Sequence, residues 1–591
     1  RVHVAPPSVV PDNVPPEYPT TEPGSDEDTD DNLSQVNAPR YQRSDPAERD
    51  VEEGGQAGSG VSGEGGKGGV IAASVFKESR ARLGSAATEA SGLVLPCSPS
   101  DEEKVSYVDT GRGFILSFAI IAFISLTVGM WCYTLSSVYF WWYGVPATYF
   151  TVYTCCQYFG VALWGRDFQQ SEHAKIVEVA TEKGFMPTVD VFLPVCNEPI
   201  LILANTWQYV AELDYPHLKV HVLDDGAQDE VRDLASAFGF KYIRRPNRPE
   251  LKKAGNLRYA FSKTTGDYVL ILDADFCPRS DFLREILPYF LDRTIGIVQT
   301  PQYFRYRSEQ TWVERGAGVT QEFFYRLEQV NSDKFGGSCC CGSCAIYRRD
   351  ALQPLGGMAA IDHSEDMYTG FKMTEFGYRL KFVPLVLAMG TCPDEQRSFF
   401  MQQYRWCMGT CSLVFTKEFW NSNVSKFHKL CFFNGMMYYT ATAVLLFVGP
   451  LPILMLIWVA PHIVRFHHLA IVVPTLVFVA IIIPCWSKQK YDMSCHRVRI
   501  IKCYAHLYSI KDYLFGTAAA WVPSGGGAKR SSSSAYNSSV WLMTIYNTAV
   551  TALIVGGAGW RRVRFSWYHF VPSIVVAIIS LGLNFSTLWG C

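Results

Sequence analysis

Two carboxylates stand two residues apart at the end of an apolar run, where Tyr268 to Leu272 lead into Asp273-Ala274-Asp275. Residues i and i+2 of an extended segment point the same way, so both acids face one side at the carboxyl end of a strand. Open α/β sheets place their ligands at that edge. Paired hard oxygen ligands suit Mg²⁺ or Mn²⁺, with a diphosphate completing the shell. Alone, the pair equally reads as a solvated turn. Two more strand-like runs end in polar residues, however: Val222 to Gly226, which includes Asp224 and Asp225, and Pro194 to Pro199, which includes Asn197 and Glu198. Three strands delivering polar groups to one edge build a nucleotide pocket.

Lys252-Lys253-Ala254-Gly255-Asn256 opens a helix, where a lysine and free backbone N–H groups hold phosphate. Further on lie His363-Ser364-Glu365-Asp366 and Gln402-Gln403-Tyr404-Arg405-Trp406. They offer a base, a permanent cation for a diphosphate and an aromatic plate for a sugar ring. Taken singly, Asp366 reads as a helix cap, Arg405 as a surface ion pair, Trp406 as a membrane-interface anchor and Lys253 as a surface lysine. The order and spacing of the whole set argue for one site.

The elements that must hold these residues follow from patterning. Across 167–432, short β-branched runs alternate with turn residues and helix-like stretches, the signature of an α/β unit with a parallel sheet. The chain has 591 residues, 48% of them hydrophobic and 14% aromatic, and the apolar ones gather into long runs. Such runs are membrane-spanning in length. A net charge of -2 leaves no global basic field, so nucleic acid is excluded as the main partner. The 18 cysteines read as free thiols. Cys341 and Cys344 are a poor zinc pair because no second ligand pair stands at suitable spacing.

Six spans are predicted, at about 114–133, 142–164, 436–459, 469–486, 540–557 and 567–588. They group as 111–166, 433–486 and 540–591, with a basic, Gly-rich loop at 487–539. Residues 1–110, rich in Pro, Gly, Ser and acid, read as a disordered tail, and no signal peptide opens the chain. Lys488, Lys490, Arg497, Arg499, Lys502, Lys511, Lys529 and Arg530 crowd the loop at 487–539, which puts it and the α/β insert in the cytoplasm. Arg561, Arg562 and Arg564 run against that rule, since they fall on the outer side.

The ordered set Asp225, Asp273-x-Asp275, Ser364-Glu365-Asp366 and Gln402-x-x-Arg405-Trp406 resembles the processive family-two glycosyltransferases, the group of cellulose, hyaluronan and mixed-linkage β-glucan synthases. The likeness runs from about Pro187 to Leu413, with the flanking spans similar in layout. Cys341-Gly342-Ser343 and Gln299-Thr300-Pro301 resemble segments beside the acceptor channel of cellulose synthases. Bacterial cellulose synthases carry a C-terminal cyclic-dinucleotide domain, and plant ones an N-terminal cysteine-rich zinc domain. Here the sequence ends at Cys591, just after the last predicted span, and 1–110 hold only Cys97. The bacterial gating loop corresponds to Ala518 to Gly525, which departs from its motif but retains a lid's glycine content. Two spans, a catalytic insert and four spans are similar to fungal cellulose-synthase-like mixed-linkage glucan synthases.

The resemblance implies a cytosolic GT-A-type α/β domain inserted in an α-helical transmembrane region at the plasma membrane. Asn197, Glu198, Asp225, Lys253, Asp273, Gln402 and Arg405 would bind the donor nucleotide, and Asp273 with Asp275 the metal. Asp366 would be the general base, and Trp406, Cys341 and Gly342 would lie at the acceptor. The implied partners are a UDP-sugar, UDP-glucose first, the growing β-glucan and the bilayer. Hyaluronan or chitin synthesis, a non-processive glycolipid transferase and a non-catalytic transport or scaffold subunit are the rival readings.

Overall fold

The computed structural model describes residues 95–334, 336–517 and 534–589. The predicted tail up to residue 94 and the predicted lid at Ala518 to Gly525 lie outside the described residues.

In chain order the strands are β1 (Val189–Val195), β2 (Leu218–Asp224), β3 (Lys241–Ile243), β4 (Tyr268–Ile271), β5 (Cys277–Pro278), β6 (Ile295–Gln299), β7 (Ala345–Arg348), β8 (Arg379–Phe382) and β9 (Ala388–Met389). Seven form one sheet in the order β3-β2-β1-β4-β7-β6-β8, while β5 and β9 pair separately. β1 through β4 are parallel, joined by helices α1 (Ile200–Ala211), α2 (Asp229–Ala237) and α3 (Lys252–Lys263). β1 and β4 are buried almost throughout, as expected of strands covered on both faces. The sheet is mixed, not parallel as predicted. β7 enters antiparallel between β4 and β6, because the chain reaches it from helix α4 (Trp312–Phe323) and a turn instead of by a right-handed crossover.

Residues 95–110, grouped with the tail by composition, are packed on this domain. Ser100 and Glu103 form a reciprocal capping box, Lys104 pairs with Asp281 and Glu285, and Tyr107 is buried. Asn205 and Arg279 donate to the carbonyls of Pro96 and Pro99, both at 2.8 Å.

Among the described residues, five helices are long and apolar enough to cross a bilayer: Arg112–Leu135, Lys426–Trp458, Phe466–Trp486, Ser534–Arg561 and Val571–Leu588. The second predicted span, 142–164, is a continuous but irregular helix and is not among them. Val138–Tyr143 and Ala162–Trp164 are 3₁₀ turns, Gly144–Thr154 is α-helical, and Cys155–Val161 widens into a π-helix carrying Gln157, which accepts from Asn434. The predicted basic loop folds in its first half into α7 (Met493–Phe515), following α5 (Glu365–Glu375) and α6 (Gln396–Val414). Asp492 caps α7 through Ser494 N at 2.9 Å, and Gly516, at φ +67, ends it.

A buried ion pair joins the spans to the α/β domain. Arg326, 2% exposed, donates to Glu322 at 2.8 Å, to the Trp486 carbonyl at 2.8 Å and to the Asp109 carbonyl at 2.8 Å. Glu322 also accepts from Ser487 Oγ at 2.6 Å and Lys488 N at 2.9 Å. Glu322→Ala strands the guanidinium and is expected to cost ~3–5 kcal/mol, whereas Glu322→Leu with Arg326→Met should recover most of the loss. Thermal unfolding of the two variants in detergent checks this, and equal destabilisation by both would refute it.

Candidate active site

β1, β2 and β4 end at one edge, and their last residues divide into structural and outward-facing groups. Asp224 is 1% exposed and serves the turn, accepting from Ala227 N at 2.9 Å, Gln228 N at 3.0 Å and Tyr242 OH at 2.7 Å. Asp225 follows it, with its side chain 9% exposed. Its two oxygens are gripped by Arg245, with Nε and Nη2 each at 2.7 Å. Arg245 is fully buried and also donates to the carbonyls of Glu250 and Lys252, so Asp225 is tied to the first turn of α3. The sequence reading missed Arg245. Its one trace is Gly255, where a Cβ would lie 2.3 Å from Arg245 Nη1. Asn197, in left-handed backbone at φ +68, sits at the rim and accepts from Gln228 Nε2 at 3.3 Å.

The same turn of α3 carries Lys253 into the centre. Its Nζ lies 2.5 Å from Asp273 Oδ1 and 3.2 Å from the Gly342 carbonyl. Burial opposes its charge, but Asp273, Glu365 and Asp366 outweigh burial and raise its pKa. Gly342 is at φ +73, and a Cβ there would lie 2.7 Å from Asp366 Oδ2. The glycine therefore admits Asp366, at the start of α5, against the loop that holds Lys253. Burial first, and then the charge of Glu365, push Asp366 up to about 7. Gln299, fully buried, holds this loop, accepting from Cys341 N at 2.8 Å and donating to the Ser343 carbonyl at 2.8 Å.

Asp275 accepts from Thr391 N at 3.2 Å and Thr391 Oγ1 at 2.9 Å, a partner the sequence did not suggest. Burial and then the charge of Asp273 raise it to about 6. Glu198 is raised to about 7, by burial first and also by Asp275 and Asp273. Among the described residues no group of three or more His, Cys, Asp or Glu gathers as a complete metal shell. A divalent cation between Asp273 and Asp275 would relieve the repulsion that raises Asp275, and would take its further oxygens from a ligand.

α6 closes the site from the other side. A Cβ on Gly409 would lie 1.9 Å from Ser364 Oγ, so α6 is pressed against the turn that presents Glu365 and Asp366. Arg405 is lowered to about 10 by burial, opposed by the charge of Glu365, and keeps its positive charge. Gln402 Oε1 is buried without a hydrogen-bond partner among the described residues. Trp406 follows, half-buried, on the same helix. Tyr404 OH donates to Asp512 at 3.0 Å, and Asp512 also accepts from Thr517 Oγ1 at 2.9 Å.

Lys253, Asp273, Gly342, Glu365, Asp366 and Arg405 are therefore brought together, with Asp225 joined to them through Arg245. Residues 190–356 match the description "Glycosyl transferase family 2". That family 2 domain covers β1 through β7 and ends before Asp366 and α6. The chain is also similar to "Cellulose synthase catalytic subunit [UDP-forming]" of Xanthomonas axonopodis pv. citri (strain 306), 32% identical over 272 residues, which are 45% of this chain and 37% of the relative. "Cellulose synthase 1" of Komagataeibacter xylinus is 33% identical over 258 residues, 42% of this chain and 16% of the relative. The chain spans well under half the length of either relative. Among solved structures, "Mannosyltransferase PcManGT from Pyrobaculum calidifontis in complex with GDP-Man and Mn2+" shares 17% identity, with a TM-score of 0.42, over 59% of this chain and 97% of that one.

Proposed function

We propose that this chain is an inverting, processive glycosyltransferase that polymerises a UDP-sugar, UDP-glucose first, into a β-glucan and passes the product out through its spans. The observation that carries the reading is the Lys253, Asp273, Gly342 and Asp366 cluster, seated at a sheet edge and joined to a membrane bundle.

Asp225 binds the nucleoside, with Asn197 and Glu198 beside it. Lys253, Arg405 and Gln402 attend the diphosphate. Asp273 and Asp275 would hold Mg²⁺ or Mn²⁺, which neutralises charge on the departing diphosphate. Asp366 takes the proton of the acceptor hydroxyl as its oxygen attacks the anomeric carbon from the face opposite UDP. One displacement turns an α-linked donor into a β-linked product. One base suffices, because UDP leaves without a proton, whereas glycosidases need two carboxylates. Cys341, Gly342 and Trp406 lie on the acceptor side.

Polar groups inside the bundle support translocation. Asn547 and Asn584 exchange hydrogen bonds at 3.1 Å, Asn547 donates to Tyr504 OH at 3.0 Å, and His506 meets Thr442 at 2.6 Å. Trp458, Trp541 and Trp567 are 42%, 68% and 67% exposed and suit the membrane interface. The basic residues of α7 support a cytoplasmic catalytic domain and a plasma-membrane enzyme. The predicted layout of two spans, insert and four spans favours the fungal mixed-linkage group, with β-1,3 and β-1,4 bonds.

The test is full-length protein in nanodiscs with a panel of UDP-sugars and Mg²⁺ or Mn²⁺, followed by linkage-specific glucanases. UDP release with UDP-glucose and a polymer cut by those enzymes is expected. No UDP release from any sugar, or transfer of one sugar to lipid, refutes the reading. Gly342→Ala, strained at φ +73 and crowding Asp366, should lower turnover by ~10²-fold while UDP affinity holds. Normal turnover in that variant would separate Asp366 from the reaction.

A further inference from the structure

The end of the span bundle away from the catalytic domain carries a charged surface that the reaction does not use. Span Ser534–Arg561 begins at the catalytic side, where Tyr536 OH donates to Gln396 at 3.3 Å and Ser538 meets Tyr508 at 2.6 Å. Trp486, the last residue of span Phe466–Trp486, donates to the Thr110 carbonyl at 2.7 Å on the same side. Helices of that length put Arg561 and Phe466 roughly 30–40 Å away, at the opposite end.

There the connections around 459–468 and 562–570 form one surface. Arg561 donates to the Trp458 carbonyl at 2.8 Å, and Phe466 N donates to His569 Nδ1 at 3.3 Å. Arg465, Arg562 and Arg564 are exposed, as are His462 and His467. Arg562 and Arg564 make no side-chain hydrogen bond or ion pair among the described residues. No Asp or Glu occurs in 430–487 or in 534–589, so nothing on these spans or their connections offsets that charge. Large apolar side chains interleave with it: Trp560 is 74% exposed, Val563 85%, Trp567 67% and Tyr568 50%.

We infer that this face binds the phosphate headgroups of anionic phospholipids in the leaflet remote from the catalytic domain. Indole and phenol rings settle at headgroup depth, which fixes the height of Arg562 and Arg564. A guanidinium presents a planar fork that meets two phosphate oxygens at once. Basic residues ordinarily concentrate on the cytoplasmic side, so arginines at the far end call for a counter-charge, and lipid phosphate is the anion that lies at their depth.

The experiment is native mass spectrometry of the full-length protein released from mixed micelles of phosphatidylglycerol and phosphatidylcholine, with a soluble acidic polysaccharide as competitor. Wild type should retain phosphatidylglycerol preferentially, and R562Q/R564Q should lose about fivefold in that preference per arginine. K488Q/K490Q, at the catalytic end, should keep it. Both pairs are exposed, and matching thermal unfolding confirms that the variants fold. Equal lipid retention by wild type and R562Q/R564Q overturns the inference. So does displacement of the lipid by the polysaccharide, which would make the face a site for an acidic polymer.

Discussion

Replacing Asp366 by Asn is expected to lower turnover by ~10²–10⁴-fold while leaving UDP affinity nearly intact. The amide keeps the size of the side chain, so Gly342 still accommodates it and α5 still begins at Glu365. It cannot take a proton from an attacking hydroxyl. The pH profile adds a second signature. Asp366 is pushed up to about 7 by burial and then by Glu365, and it acts only when deprotonated, so kcat/KM should fall as pH drops below about 7. Lys253 already pulls that pKa down, and a cation and donor in the site would pull it further. The acid limb of kcat should therefore lie at lower pH than that of kcat/KM. Residual activity of the Asn variant should lack the limb. Polymer synthesis at the normal rate by D366N would remove Asp366 as the base.

The parts of this site legible in the sequence are those with a local cause. Asp273 and Asp275 announce themselves because a β-branched run ends at a turn, and alternation along a strand fixes which way both point. Asp225 and Lys253 follow from the same strand-then-helix logic. Long-range contacts left fainter marks. Arg245 is one arginine among several after β3, and only the folded chain brings its fork onto Asp225. Thr391, 116 positions from Asp275, has no motif to expose it. Gly342 was noticed for its company with Cys341, but its φ of +73 and its contact with Asp366 depend on a turn closing against α5.

The membrane region shows the same division. Five spans read directly from apolar length, because bilayer thickness is a one-dimensional constraint. Helix α7 escaped that test, since Arg497, Arg499, Lys502 and Lys511 break any apolar window even though one face of the helix is buried. The stretch at 142–164 is helical from Gly144 to Trp164 but is not among those five, because its tyrosines, threonines and Gln157, which meets Asn434, dilute the apolar run. Residues 95–110 were hidden by a neighbouring tail of similar composition, although Lys104 and Glu103 hold them to the domain through Asp281, Glu285 and Arg305.

The two acids of the Asp273-x-Asp275 pair should separate when replaced singly. Both Asp273→Ala and Asp275→Ala are expected to abolish the gain in UDP affinity on adding Mn²⁺, a loss larger than the ~10–100-fold that removing an outer-shell partner costs. Without metal they should diverge. Asp273 holds Lys253 at 2.5 Å, so its removal frees a buried ammonium toward the diphosphate, and metal-free UDP affinity should hold or rise. Asp275 instead anchors Thr391 N and Oγ1, and its loss leaves the Lys253 and Asp273 pair intact. Metal-free affinity in Asp275→Ala should then stay at the wild-type level. Calorimetric titration of UDP with and without Mn²⁺ reads all four values. Metal stimulation surviving in Asp275→Ala would take the cation away from this pair, and Glu198, which already feels both charges, would become its next candidate ligand.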